Sequence, residues 1–332
     1  SEPFIKHYKS DESLELSKTV KDYLKKLRSE EAITPVHISS VFERLNKVKN
    51  KRFKSYIQIC KALITGSAYH QAAPIFKKNQ KPWGLKSSLT TLDFFLLIER
   101  HWKKSKQLKK IYEQLVSPPI KNQRYIYFAA PYQPEALSNI MQGAYEDPFL
   151  ILDILCSAIP KNWKIYYKEH PSTFKDTEKG VLYKDEEYYK KLKSYSNVVV
   201  ISTEIHTFDL IDQAEAVATT GGTVGWEAVV RGKPALVFGS IWYQGCKSVF
   251  TIKAYRDAVD AVAKIVKGYV PDKLDVDRYA QSIYLASEKV LNTDLNYHQS
   301  IDECDDPIYE MERIAKLFLK TEKKLFDEGV KD

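Results

Sequence analysis

The residues best placed to do chemistry lie between Ala216 and Ser240, in AVATTGGTVGWEAVVRGKPALVFGS. Thr219, Thr220 and Thr223 set hydroxyls around Gly221 and Gly222, and Glu227 follows Thr223 by four residues. Hydroxyls and backbone amides gathered where a helix begins bind anions, because the first N–H groups of a helix lack internal partners and its dipole favours negative charge there. A carboxylate one turn above such a cradle accepts hydrogen bonds from ribose hydroxyls, so phosphate and sugar are recognised together. The segment is neither a P-loop nor a GxGxxG fingerprint, and a tight strand-to-helix turn without a ligand stays open as an alternative.

Two further clusters stand where strands should end. Lys168-Glu169-His170-Pro171 offers a cation and a histidine that could contact a phosphate, or serve a leaving-group oxygen as hydrogen-bond donor or general acid. Pro131-Tyr132-Gln133-Pro134-Glu135 is a loop stiffened by two prolines that presents Gln133 and Glu135. Glu135 is a candidate catalytic carboxylate or a cap for the following helix; Asp93 and Glu99 are the other carboxylate candidates.

The elements that must position these groups follow from the apolar pattern. Strands are expected at 125–130, 163–168, 198–202 and 216–220, with helices at 149–159, 208–214, 223–230 and 255–267. The small apolar run PALVF after Gly232 is the strand that follows the glycine turn. This alternation implies a parallel sheet with helices on both faces, and ligands of open α/β sheets sit beyond the carboxyl ends of the strands. Before it, 11–28, 39–63 and 90–115 carry apolar residues at helical spacing, and 71–86 reads as loop. The expected organisation is a mainly helical region 1–118, a Rossmann-like domain 119–275 and C-terminal helices in 276–332, at 279–291 and 307–326, that pack across the junction, with Ser117-Pro118-Pro119 as the break. The lysines of 103–110 read as the solvated face of a helix, and Asp275-Val276-Asp277 as a solvated connector.

With 332 residues, 44% of them hydrophobic, the chain can build two medium domains, and its net charge of +8 suits an acidic partner. Four widely spaced cysteines, without a CxxC pair, indicate neither a metal site nor a disulfide framework and fit a reducing cytoplasm. No apolar run reaches the roughly 20 residues of a membrane helix. The start at Ser1 rather than methionine reads as a processed or truncated beginning.

Taken together, YFAAPYQPEALSNIMQG, YYKEHP and TTGGTVGWEAVVRGKPALVFG followed by Trp242-Tyr243 resemble, in order and spacing, the bacterial capsule polysaccharide synthesis proteins that include the Kdo transferases of capsule and lipopolysaccharide assembly. The resemblance runs from about Tyr125 to Phe250. It implies a GT-B glycosyltransferase with an α/β fold, whose C-terminal Rossmann-like domain holds an activated sugar, often a CMP-linked ulosonic acid such as Kdo. His170, Thr219, Gly222, Thr223 and Glu227 fall on the family's donor-site positions, with Lys168, Gln133, Thr220 and Gly221 beside them. Pro131 replaces the family's usual histidine and Ala130 its leucine. The same resemblance implies metal-independent chemistry without a cofactor, a nucleotide sugar and a glycan or glycolipid acceptor as partners, no nucleic acid, and a cytoplasmic location with peripheral inner-membrane association. Another GT-B enzyme, such as a nucleotide-sugar epimerase or CDP-polyol phosphotransferase, and a non-catalytic glycan-assembly module remain as alternatives.

Overall fold

A computed structural model describes residues 15–29, 91–133, 142–174 and 183–287, with backbone alone at 91–98. The chain divides into two units, Ser1–Asp11 with Ile33–Lys51 and Ser282–Asp332, and Glu12–Ala32 with Arg52–Gln281. Apart from 282–287, every described residue belongs to the second. The helices expected at 39–63 and 307–326 and the loop at 71–86 lie outside the described residues.

The strands are β1 (Tyr125–Ala129), β2 (Lys164–Lys168), β3 (Val198–Val200), β4 (Ala216–Thr219), β5 (Ala235–Val237) and β6 (Val249–Thr251). They form one parallel sheet in the order β3-β2-β1-β4-β5-β6. The helices are α1 (Lys18–Arg28), α2 (Thr91–Leu115), α3 (Pro148–Ala158), α4 (Glu186–Lys193), α5 (Thr207–Gln213), α6 (Val224–Val230), α7 (Tyr255–Val266) and α8 (Lys273–Ala286). The expected α/β, Rossmann-like sheet is therefore present. Its order is that of doubly wound nucleotide-binding sheets, in which the chain leaves β1 toward one edge and later returns beside it as β4.

Strand composition follows from burial on both faces. In β1, Ile126 and Phe128 join a core with Leu108 and Tyr112 of α2, Ile151, Leu152 and Leu155 of α3, Tyr189 and Leu192 of α4, and Ala258 and Val262 of α7. Tyr125 and Tyr127 alternate to the opposite face, where Tyr125 stacks on Tyr166 at 3.9 Å and donates its hydroxyl to the Leu210 carbonyl on α5. Sheets covered on both sides read as continuous apolar runs, and YIYFA is such a run. Asp147 caps α3 by accepting from the Phe149 amide at 2.9 Å, with Pro148 at the first helical position.

The prolines at 118 and 119 end α2, yet Leu108 and Tyr112 are buried with the sheet, so the helix belongs to the same core. Its basic side is solvated: Lys103, Lys106, Lys109 and Lys110 are exposed. α1 also joins this unit, since Arg28 Nε donates to the Val230 carbonyl at 3.1 Å, Arg231 Nη1 donates to the Leu27 and Ser29 carbonyls, and Ser17 N donates to Gln281 Oε1. The solvated connector expected at 275–277 is instead the first turn of α8. There Asp275 Oδ2 accepts from the amide and hydroxyl of Ser248, and Asp277, buried, pairs with Arg28. Sequence periodicity alone started this helix too late, because Asp275 and Asp277 near its start are held by partners distant along the chain.

The segment after β2 is anchored by a buried charge pair. Lys184 Nζ reaches Glu169 Oε1 at 2.6 Å, and both side chains are sequestered from solvent. Tyr167 donates to the same carboxylate at 2.7 Å, and the Glu169 amide donates to the Tyr112 hydroxyl at 3.0 Å. Burial and the Glu169 charge push the phenols of Tyr112, Tyr167 and Tyr188 well above their ordinary range, so they remain neutral donors. Lys184→Met leaves a buried carboxylate uncompensated and is expected to cost about 3–5 kcal/mol in urea unfolding, with most of the loss recovered by Lys184→Met/Glu169→Gln. A single-variant loss below about 1 kcal/mol contradicts this assignment.

Candidate functional site

The strand order places the site. β1 and β4 are neighbours whose onward connections run to opposite edges, which opens a crevice beyond their carboxyl ends. Ala129 is level with Lys168, and Phe128 with Ala218, so the loops after β2, β1 and β4 leave the sheet side by side. At a strand spacing of about 4.8 Å, the ends of β2 and β4 stand about 10 Å apart with β1 between them.

The turn after β4 is built from the inside. Thr219 Oγ1 accepts from the Gly222 amide at 3.0 Å and closes the turn, and Thr219 and Thr220 are both buried. Their hydroxyls therefore shape the loop, while Gly222 and Thr223 form its exposed edge. Beneath it the buried Tyr243 donates to the Gly222 carbonyl. A Cβ on residue 225 would collide with that phenol oxygen and would lie 3.0 Å from Thr219 Cγ2. Glycine at 225 is required by space.

Thr223 is the residue before α6, and its hydroxyl does not cap the helix. It donates instead to Glu227 Oε1 at 3.1 Å, bringing the carboxylate down to the turn. Burial raises the Glu227 pKa, opposed by the Thr223 hydrogen bond and the charge of Arg231. Tyr23 of α1 stands close enough for the Glu227 charge to raise its own phenol further, behind the larger effect of burial, and accepts from Trp226 Nε1 at 3.1 Å. Thus α1 contributes to the surroundings of Glu227, which the sequence reading did not foresee.

After β2, His170 Nδ1 accepts from the Ser172 amide at 3.2 Å. Neutral histidine with Nδ1 as acceptor carries its proton on Nε2, so the ring is set as a hydrogen-bond donor there. The ring lies 5.5 Å from that of Tyr132 on the β1 loop, joining two of the three loops. Lys168 is buried and donates to the Ile205 carbonyl and to Thr207 Oγ1 at 3.2 Å; burial lowers its pKa to about 8. Its ammonium is thus engaged with the loop after β3. Gln133 Nε2 donates to the Glu146 carbonyl at 2.8 Å, tying the β1 loop to the 3-10 turn Gly143–Glu146. Beside them a pocket of about 420 Å³ is lined by Gln133, Glu146, Phe149, Tyr183 and Tyr188. Glu135 lies outside the described residues. Asp93 is on the first turn of α2 and Glu99 on the third.

The structure thus brings the β4 turn with Glu227, the His170 segment and Gln133 to one edge of the sheet. Residues 98–247 match the family model for capsule polysaccharide biosynthesis proteins. The resemblance read from the motifs holds over that segment. Among solved structures, the chain is similar to the beta Kdo 2,7 transferase of Thermosulfurimonas dismutans KpsC, with 16% identity, a TM-score of 0.33 and coverage of 58% of this chain and 57% of that one. For the beta Kdo 2,4 transferase of the same KpsC the identity is 14%, the TM-score 0.34 and the coverage 59% and 57%. The UDP-GlcNAc 2-epimerase of Methanocaldococcus jannaschii gives 16%, 0.34, 56% and 50%. The chain therefore spans a little over half of each of the two transferases and half of the epimerase. No curated protein matches it. Among the described residues, no helix is long and apolar enough to cross a membrane.

The raised Glu227 pKa carries a definite sign. The folded state holds a proton that the unfolded chain has already released, so this residue's stabilising contribution is greatest below the ordinary carboxylate pKa and is lost as pH rises through the folded value. Glu227→Gln keeps an acceptor for Thr223 and removes the buried charge. It is expected to raise the Tm of the ligand-free protein by about 2 °C at pH 8, with the difference gone by pH 4. A lower Tm at pH 8 contradicts it.

Proposed function

We propose that this unit holds the nucleotide of a sugar donor for a glycosyltransferase of capsule or lipopolysaccharide type, and that the full activity requires a second lobe for the acceptor. The observation that carries the reading is the joined turn and carboxylate at the β1/β4 crevice, with Thr223 bonded to Glu227. A phosphate on the exposed Gly222–Thr223 edge would leave Glu227 placed for ribose hydroxyls, since an ionised carboxylate is an acceptor only. The family match supports a glycan-synthesis role, and the motif resemblance favours a CMP-linked ulosonic acid such as Kdo as the donor.

In this mechanism the bond from the anomeric carbon to the phosphate oxygen breaks as the acceptor hydroxyl attacks. Negative charge then grows on the departing phosphate. The Nε2 proton of His170 and the Thr223 amide at the exposed edge of the glycine turn would stabilise it without a redox step or a covalent intermediate on the protein. The buried ion pair of Glu169 with Lys184 holds the histidine's loop in place. The acceptor would be a glycan or glycolipid presented at the cytoplasmic face of the inner membrane, with Glu135 as the proposed base and Lys168 adding positive charge behind the phosphate.

Calorimetric titration of the ligand-free chain with CMP, CDP, UDP and GDP tests the donor site. Selective CMP binding, weakened about 10-fold or more by Glu227→Ala while the Tm stays within a few degrees, is the expected result. Selective UDP or CDP binding would move the assignment to an epimerase or polyol phosphotransferase, and no binding would favour an assembly module. With an active donor–acceptor pair, His170→Ala is expected to lower kcat about 100-fold with little change in donor affinity. Unchanged kcat removes His170 from the mechanism.

A further inference from the structure

A further polar group is buried at this edge of the sheet. Gln142, just before the Gly143–Glu146 turn, is 5% exposed, and its Oε1 is buried with no hydrogen-bond partner among the described residues. Leaving a buried acceptor unpaired is costly, and natural proteins rarely do so without a water, an ion or a ligand to complete it. The placement of this side chain is specific. Its Nε2 lies 2.9 Å from where a Cβ on residue 221 would be, and its Cγ lies 3.1 Å from where a Cβ on residue 239 would be. Two glycines after two different strands, β4 and β5, make the room it occupies. One of them is in the proposed phosphate turn.

From this we infer that Gln142 contacts the transferred sugar of the bound donor, its Oε1 accepting from a sugar hydroxyl. This rests on the nucleotide-sugar reading above and goes further by assigning which part of the ligand Gln142 meets. The turn divides the ligand. Glu227 approaches it at Thr223, the end joined to α6, and is there taken up by the ribose. Gln142 approaches at Gly221, the end joined to β4. A nucleotide sugar carries hydroxyls on both sides of its phosphate, so with the ribose at Thr223 the group nearest Gly221 is the sugar that will be transferred. A carboxamide suits it because it has both an acceptor and a donor, and it adds no negative charge beside a phosphate.

Gln142→Met is the direct test, since it keeps the length of the side chain and removes the acceptor. Calorimetry with CMP and CMP-Kdo, and with UDP and UDP-GlcNAc, compares each nucleotide with its sugar-bearing form. For whichever pair the wild-type chain binds, the bare nucleotide should bind the variant within about twofold of wild type and the sugar nucleotide about 10-fold more weakly. The ligand-free variant should melt at or above the wild-type Tm, because it no longer buries an unpaired acceptor. Equal losses for both ligands, or no loss for either, overturn the sugar contact, as does a lower Tm, which would mean that the carboxamide is satisfied in the free protein. Failure of the wild-type chain to bind any of the four overturns the nucleotide-sugar reading and the contact with it, an outcome distinct from wild-type binding that Gln142→Met leaves unchanged.

Discussion

Tyr243 is buried beneath the turn after β4, donates its hydroxyl to the carbonyl of Gly222, and occupies the space that a side chain on residue 225 would need. That contact links the loop after β5 to the loop after β4 and fixes the direction in which the Gly221–Thr223 edge faces. Thr219 closes the turn from within, Thr223 brings Glu227 to its rim, and Gln142 packs against its near end. Each depends on the turn being held still. Overpacking a site of this kind typically costs about 1–3 kcal/mol because neighbours must leave their preferred rotamers. At Gly225 the neighbour is a phenol already hydrogen-bonded, with little freedom to yield.

Across the crevice the same task is performed by charge. The pair of Glu169 and Lys184 is fully buried, a poor source of net stability compared with apolar packing. Its value here is positional: the carboxylate collects Lys184, Tyr167 and Thr173, while the Glu169 amide is held by Tyr112 of α2. His170 follows directly, with its ring oriented by the Ser172 amide. Both sides of the crevice are therefore tied down by buried hydrogen bonds, and groups held in place before a ligand arrives spare the ordering cost that a loose site incurs on binding.

Much of this was legible from the chain alone, for physical reasons that differ by element. Strands buried on both faces, such as YIYFA and AVAT, read as apolar runs, and the Thr-Gly-Gly-Thr turn is marked by residues chosen for size and hydroxyls. α4 was not anticipated. Its Asp185 cap and its gradient from Glu186 and Glu187 to Lys190, Lys191 and Lys193 are readable, but only Tyr189 and Leu192 bury, too few to show a period. β6 has three residues and no pattern to find. The roles of Lys184, Gln142 and Tyr23 depend on partners that folding brings from elsewhere in the chain, Glu169 fifteen residues away in the first case and two later glycines in the second. The side chains of Asp275 and Asp277 look solvated in sequence because nothing local reveals Ser248 or Arg28.

The central claim is that the crevice between β1 and β4 receives the phosphate of a nucleotide. A crystal structure of the chain grown with CMP tests it most directly. The phosphate is expected on the exposed Gly222–Thr223 edge, within hydrogen-bond distance of the Thr223 amide, with the ribose hydroxyls on Glu227. Density for the nucleotide elsewhere, for instance along the exposed lysines of α2, with the turn empty, would contradict the account.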